Sequence, residues 1–225
     1  MNNLATKAFL GLFQLILIIA LLLFVPAWSL RYWQAWVFLS VFSISVFIIT
    51  LYFLRKDPKL LESRTQAGPV AEQQRSQKII QSLASIFFIL PFLLSSLDHR
   101  LGWSTVPFPL VILGDVLVAL GLSIVFLVFR ENTFTSATIE VQEEQRVIST
   151  GPYAIGRHPM YAGAFIMLLG IPLALASWRA FIPVFLLFAA IVWRLLEEEK
   201  FLDISLPGYT QYRRNVRFRL IPLIW

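Results

Sequence analysis

The sequence predicts an all-α integral membrane protein. The expected form is a helical bundle with five to six transmembrane helices and a cytoplasmic C-terminal helical segment. Three observations lead there. Of the 225 residues, 58% are hydrophobic and 14% are charged, against about 25% charged in soluble domains. The apolar residues fall in six long runs separated by polar stretches. The basic residues are shared unevenly between alternate stretches, as they are across a bilayer.

A helix needs about 20 apolar residues to cross the ~30 Å hydrocarbon core. Six runs meet or approach that length: 8–28, 33–54, 79–97, 106–129, 161–177 and 180–196. The first follows Lys7, closes at Pro26-Ala27-Trp28 and carries no small-x-small cleavage pattern. It is expected to stay as a helix and not to be removed as a signal peptide. In the fourth run Gly114 and Gly121 share a face and mark close helix packing. The same run holds Asp115, and a carboxylate inside a membrane is costly. Either it makes a polar contact to a neighbouring helix or substrate, or the helix starts near Leu110 and leaves it at the outer interface. The last two runs have 17 residues each and carry Pro172 and Pro183. They form a spanning hairpin or a partly re-entrant pair, hence five to six passes.

With six passes the outer loops hold Arg31, Arg100 and Arg179, only 3 of 19 basic residues. Positive loops stay inside, which puts both termini in the cytoplasm. Trp28, Trp33, Trp36, Trp103 and Trp178 fall near the outer ends, as an interfacial aromatic belt requires. His99, between Asp98 and Arg100, belongs to the same interface. The cytoplasmic face receives three polar segments, 55–78, 130–157 and 197–225. The first reads as a headgroup-facing connector, or else as a lid over a site. The net charge of +6 is thereby explained by topology and by attraction to membrane lipids with anionic headgroups. No nucleic-acid partner is expected. The absence of cysteine excludes disulfides, thiolate metal sites and a cysteine nucleophile.

The chemistry concentrates in two places. One is Gly151-Pro152-Tyr153-Ala154-Ile155-Gly156-Arg157-His158-Pro159-Met160-Tyr161; the other is Arg194-Leu195-Leu196-Glu197-Glu198-Glu199. Gly-Pro signals a turn before the fifth helix. Pro159 suits the first helical turn, where its missing N–H costs nothing. That helix start presents free N–H groups suited to an anionic group. Tyr161 lies three residues after His158 and can face the same way. The sixth helix returns to the same membrane face with Arg194 and Glu198 on one side. Glu198 can accept hydrogen bonds from an amine or hydroxyls, and Arg194 can hold a carboxylate or phosphate in its fork. Taken singly, each residue is also an ordinary interfacial anchor, helix cap or surface ion pair. Their convergence at one membrane face is the signal.

These residues resemble the signature of the isoprenylcysteine carboxyl methyltransferases and the related bacterial membrane methyltransferases. The likeness runs through Arg194-x-x-x-Glu198-Glu199-x-x-Leu202 and Leu206-Pro207-Gly208-Tyr209-x-x-Tyr212 to Arg219-Leu220-Ile221-Pro222. It covers about residue 130 to the end, which divides the chain into a membrane bundle (1–129) and a catalytic region (130–225). The phospholipid N-methyltransferases share the paired glutamates. Two departures stand out. Leu206-Pro207-Gly208 replaces the family's Phe-Gly pair, and Gly156 precedes Arg157 where a bulky apolar residue is common. They weaken any claim to the same protein substrate.

The resemblance implies methyl transfer from S-adenosylmethionine to a lipophilic acceptor drawn from the membrane, in a compact member of bacterial inner-membrane type. It implies that Gln145, Arg146, Val147, Ile148, Tyr153, Arg157, His158, Pro159, Met160, Tyr161 and Glu198 bind the cofactor. It places Arg194 on the acceptor side and makes Arg194 and Glu199 the catalytic set. A carboxylate acceptor is ionised at neutral pH and needs positioning and electrostatics, with Arg194 orienting it. An amine acceptor needs a base, for which Glu199 or His158 is the candidate. No metal is implied, since no recognised ligand spacing is present. A transporter would need midplane charges and matched broken helices in two halves, and only Asp115 is arguably of that kind. A non-catalytic bundle would keep the fold without turnover. A sterol reductase would need a nicotinamide site, and no phosphate-binding loop is present.

Overall fold

The computed structural model describes residues 2–65, 68, 70, 72, 74–135, 138, 145–220 and 224–225, without the side chains of Asn2 and Thr65. Among them all regular structure is helical: α1 (Asn2–Ala27), α2 (Trp33–Lys56), α3 (Pro58–Thr65), α4 (Arg75–Leu101), α5 (Phe108–Glu131), α6 (Pro159–Ala174), α7 (Phe181–Ser205) and α8 (Tyr209–Asn215), with a 3-10 turn at Gly151–Ala154 before α6. Four helices, α1, α2, α4 and α5, are long and apolar enough to cross a membrane, and α6 is a shorter apolar helix. This is an integral membrane helical bundle.

Most expected runs are recovered with shifted ends. Helix α1 begins well before residue 8, α4 starts at Arg75, and α7 continues through the glutamates to Ser205. The extensions are polar turns, which apolar patterning does not register but which helical hydrogen bonding carries on into the headgroup zone. Helix α3 lies inside the segment expected as a connector, and α8 gives the C-terminal segment its helix.

Helices α5 and α6 form the tightest pair. A Cβ on Gly114 would fall 2.2 Å from the Ala174 nitrogen, and one on Gly121 would fall 2.5 Å from the Gly163 carbonyl oxygen. Small residues on both helices thus let the backbones touch. Helix α5 starts at Phe108, between the two expected starts, and Asp115, beside Gly114, is buried in its third turn. Neither of its carboxylate oxygens has a hydrogen-bond partner among the described residues.

The two ends of the bundle are built differently. At the far end, neutral donors tie the helices together. The Tyr32 hydroxyl donates to the Leu175 carbonyl at 2.6 Å and the Ser96 hydroxyl to that of Leu23 at 2.6 Å. Ser177 and Ser104 both donate to Asp98 at 2.5 Å. Trp178 donates through its ring nitrogen to the Thr105 carbonyl at 3.2 Å. The α6–α7 turn therefore sits on the α4–α5 loop, and the hairpin runs as far along the bundle as α4 and α5 do. Side chains of α1, α2, α4, α6 and α7 meet in one apolar core around Leu23, Phe38, Phe92, Ile171 and Val184. The opposite end carries the buried ion pairs Arg157–Glu199 and Arg194–Glu72.

Candidate active site

The site grows from the start of α6. His158 is its N-cap residue and Pro159 opens the first turn. The preceding backbone is held by the C-terminal segment: Arg157 N–H donates to the Phe218 carbonyl and His158 N–H to that of Arg219, both at 2.9 Å. The Arg157 guanidinium reinforces this, donating to the Val216 and Arg217 carbonyls at 2.9 and 3.0 Å.

Glu199 is the hub of this junction. Its Oε1 accepts from Arg157 Nε at 2.7 Å and lies 3.3 Å from His158 Nε2, while its Oε2 accepts from Arg219 Nε at 2.9 Å. Burial by itself pushes this carboxyl up, but hydrogen bonds and charge from His158, Arg219 and Arg157 outweigh it and hold the pKa at about 2. Glu199 is buried at 4% exposure and lines neither cavity described below. A carboxylate so tightly held is a weak base. The geometry fits an anchor that fixes α6, α7 and the C-terminal segment together.

Glu198, one residue earlier, points elsewhere. Its Oε2 accepts from the Tyr161 hydroxyl at 2.6 Å. Arg194, one turn earlier, donates through its Nη1 to Glu72 at 2.7 Å and to Gln77 at 3.3 Å, and stays within electrostatic reach of Tyr161 and Glu198.

Two cavities meet at the Tyr161–Glu198 pair. The first is a cleft at the polar end. Gln145, Arg146, Val147, Ile148, Tyr153, Arg157, His158, Pro159, Met160, Tyr161 and Glu198 all line it, together with Asn132, Phe134, Leu202, Leu206, Tyr209 and Tyr212. Tyr153 is fixed by Asn132 Nδ2, which donates to its hydroxyl at 3.0 Å, and its carbonyl accepts from the Tyr212 hydroxyl at 2.8 Å. Burial pushes the Tyr153 phenol up to about 12 and raises those of Tyr209 and Tyr212 as well. All three stay neutral donors. The Tyr209 hydroxyl is buried with no hydrogen-bond partner among the described residues.

The second cavity is an apolar groove between α4, α6 and α7. Ile80, Ala84, Phe88, Ala164, Met167, Leu168, Leu187, Ala190 and Ile191 form its walls. Arg64, Thr138, Met160, Tyr161, Arg194 and Glu198 form its polar end. Met160, Tyr161, Glu198 and Thr138 border both cavities.

One comparison with known proteins bears on this arrangement. Residues 109–205 match the phospholipid methyltransferase family. The match runs from the start of α5 to the end of α7. The family's activity is methyl transfer at a membrane. No curated protein matches the chain.

Several lining residues had no individual prediction. Tyr209 and Tyr212 stood in the family-like motif without a role, whereas Asn132 and Phe134 belong to the stretch 131–134, which its place ahead of the motif already suggested as a border of the pocket. Arg64 and the α4 residues lie 63 or more positions before Gly151, where the motif starts, on segments with no recognisable pattern. Hydrophobic periodicity places α4 in the bundle but not against α6.

Proposed function

We propose that the protein transfers a methyl group from S-adenosylmethionine to a lipophilic acceptor, a carboxylate, that reaches the site from the membrane. The observation that carries this reading is the shared wall: a polar cleft and an apolar groove touch at Met160, Tyr161 and Glu198. A water-soluble donor and a lipid-soluble acceptor need such a meeting point.

The cleft residues suit the donor. Phe134, Tyr153, Tyr209 and Tyr212 offer aromatic faces and phenol donors for a nucleoside, and the buried Tyr209 hydroxyl supplies a hydrogen bond that no described residue takes up. Glu198 offers negative charge to the donor's cationic part. When bound, S-adenosylmethionine supplies an electrophilic methyl on a sulfonium. This chain's residues supply the rest. Tyr161 holds Glu198 at the junction, Glu199 fixes His158 and Arg157 behind it, and the apolar walls of α4 and α6 exclude water from the acceptor. Arg194, held by Glu72 and Gln77, lends positive charge to the acceptor side. A carboxylate arrives ionised, so orientation and electrostatics lower the barrier without a base. The clamped state of Glu199 supports that choice over proton abstraction by it.

Amine methylation is the second reading, favoured by Glu198, an anion at the wall itself and part of both linings. The cytoplasmic placement of the site and termini rests on the uneven Lys and Arg distribution. The division at residue 130 is supported by the cleft, whose lining lies wholly within 132–212.

Labelled methyl donor incubated with the purified protein and a membrane lipid extract tests both readings. Label that enters the organic phase and is released as methanol by alkali indicates a carboxyl ester. Alkali-stable label indicates an amine. No transfer by protein that remains folded, in detergent and in lipid, contradicts the proposal.

A further inference from the structure

We propose that the apolar groove is a blind slot for the chain of the methyl acceptor, and that its inner end at Phe88, Leu168 and Leu187 limits how long that chain can be. The inference rests on the methyltransferase reading. It adds the acceptor's class, a slender amphiphile of limited chain length, and the residues that select it.

The groove begins at the wall it shares with the cleft, at Met160, Tyr161 and Glu198. From there it runs inward between three helices, as far as Phe88 on α4, Leu168 on α6 and Leu187 on α7. One turn further along each wall stand Phe92, Ile171 and Val184, at 1%, 1% and 0% exposure, in one apolar core. None of these three lines the groove. Phe92 is held from two sides: its ring centre lies 5.4 Å from that of Phe88, edge to face, and 5.8 Å from that of Phe38. Protein interiors are close-packed, so a chain end pushed into this layer forces side chains out of place.

Helical rise gives the depth. It is about 10 Å from Tyr161 to Leu168, about 12 Å from Ile80 to Phe88 and about 16 Å from Glu198 to Leu187. An extended chain advances about 1.2 Å per bond, so this depth takes roughly eight to thirteen carbons. One alanine on each wall, Ala84, Ala164 and Ala190, lines the slot between its ends. Small side chains there leave room that larger ones would take up. In lipid an apolar chain gains little by passing from one hydrocarbon phase to another, so selection has to come from packing. A slot with a fixed end supplies it. A chain that just reaches the end makes full contact, and a longer one must displace core side chains. The reacting group then stands at Tyr161 and Glu198 only for chains that fit.

The test measures binding of radiolabelled dodecanoate to the native protein in phosphatidylcholine nanodiscs, competed by unlabelled octanoate, dodecanoate and hexadecanoate, with each concentration counted in the bilayer. Dodecanoate should compete at least about tenfold better than hexadecanoate, whose end would enter the packed layer. Dodecanol should outcompete hexadecanol by a similar factor, since the limit lies in the slot and not at the head. Leu168→Ala opens the inner end and should cut the hexadecanoate penalty to about threefold or less. Ala84→Phe blocks the slot one turn nearer the cleft than Phe88 and should make octanoate a better competitor than dodecanoate. Equal competition by dodecanoate and hexadecanoate on the native protein overturns the proposal, because the groove then holds any bilayer chain. A length limit seen with the acids but not the alcohols overturns it too, as does an unchanged ranking in a folded Leu168→Ala or Ala84→Phe protein. If Leu168→Ala does not fold, the native ranking and Ala84→Phe decide. S-adenosylmethionine binding is measured separately: a protein that shows the length limit but does not bind the donor keeps the slot and loses the methyltransferase reading.

Discussion

The cleft and the groove share a wall but are built from different parts of the chain. Every cleft residue lies between Asn132 and Tyr212, on two loops, the start of α6, the end of α7 and α8. The groove draws Arg64 from α3 and Ile80 to Phe88 from α4, and sets them against α6 and α7. A cleft assembled from local motifs can keep its chemistry while a groove assembled across the bundle changes with the acceptor. That division of labour is open to direct challenge.

The largest expected effect comes from removing the anchor behind both cavities. Glu199→Ala leaves the buried Arg157 guanidinium without its carboxylate, and breaking a buried pair costs about 3–5 kcal/mol. Thermal unfolding in detergent should show a large loss, with cleft and groove failing together. A stable variant that loses only one of them would assign Glu199 to that cavity.

Next in size are substitutions that separate the two. His158 lines only the cleft, and Ala84 only the groove. His158→Ala should weaken donor binding by about tenfold or more and leave dodecanoate binding within about twofold. Ala84→Phe should do the reverse, by filling the groove. Two variants with the same profile would dissolve the distinction.

Acid should act through Glu199. Its carboxyl titrates near 2 when folded, against 4.5 unperturbed. A depressed folded pKa contributes stability that is complete above the unfolded value and is lost as pH falls from about 4.5 toward 2. The melting temperature of the native protein should drop across that window more steeply than that of Glu199→Gln. Parallel curves would show that the clamp does not couple to folding.

Smaller still is Tyr161→Phe, which removes one hydrogen bond to Glu198, worth about 1.5–3 kcal/mol for a charged partner. Turnover should fall more than either ligand's affinity, because the wall loses its fixed geometry. Lys200→Ala breaks only the exposed pair with Glu197 and should shift stability by less than about 1 kcal/mol.

How much of this was legible in the sequence follows the same division. The bundle could be read from apolar runs, because lipid demands long apolar helices. The cleft residues could be read because they cluster in two short motifs. Glu199 was placed in the catalytic set from its neighbourhood alone, and only the positions of Arg157 and Arg219 reveal its clamp. The partner of Arg194 was out of reach, since Glu72 lies 122 residues away in a segment without periodicity. Arg64 was hidden for the same reason. Local patterns report local geometry, and a groove between α3, α4 and α6 is a long-range fact.

The most direct measurement is a calorimetric titration of S-adenosylmethionine into the purified native protein, His158→Ala and Ala84→Phe. The expected result is binding of micromolar order to the native protein and to Ala84→Phe, and weak or no binding to a folded His158→Ala. Absence of binding to native protein that is folded both in detergent and in lipid would contradict the cleft's assignment to the methyl donor.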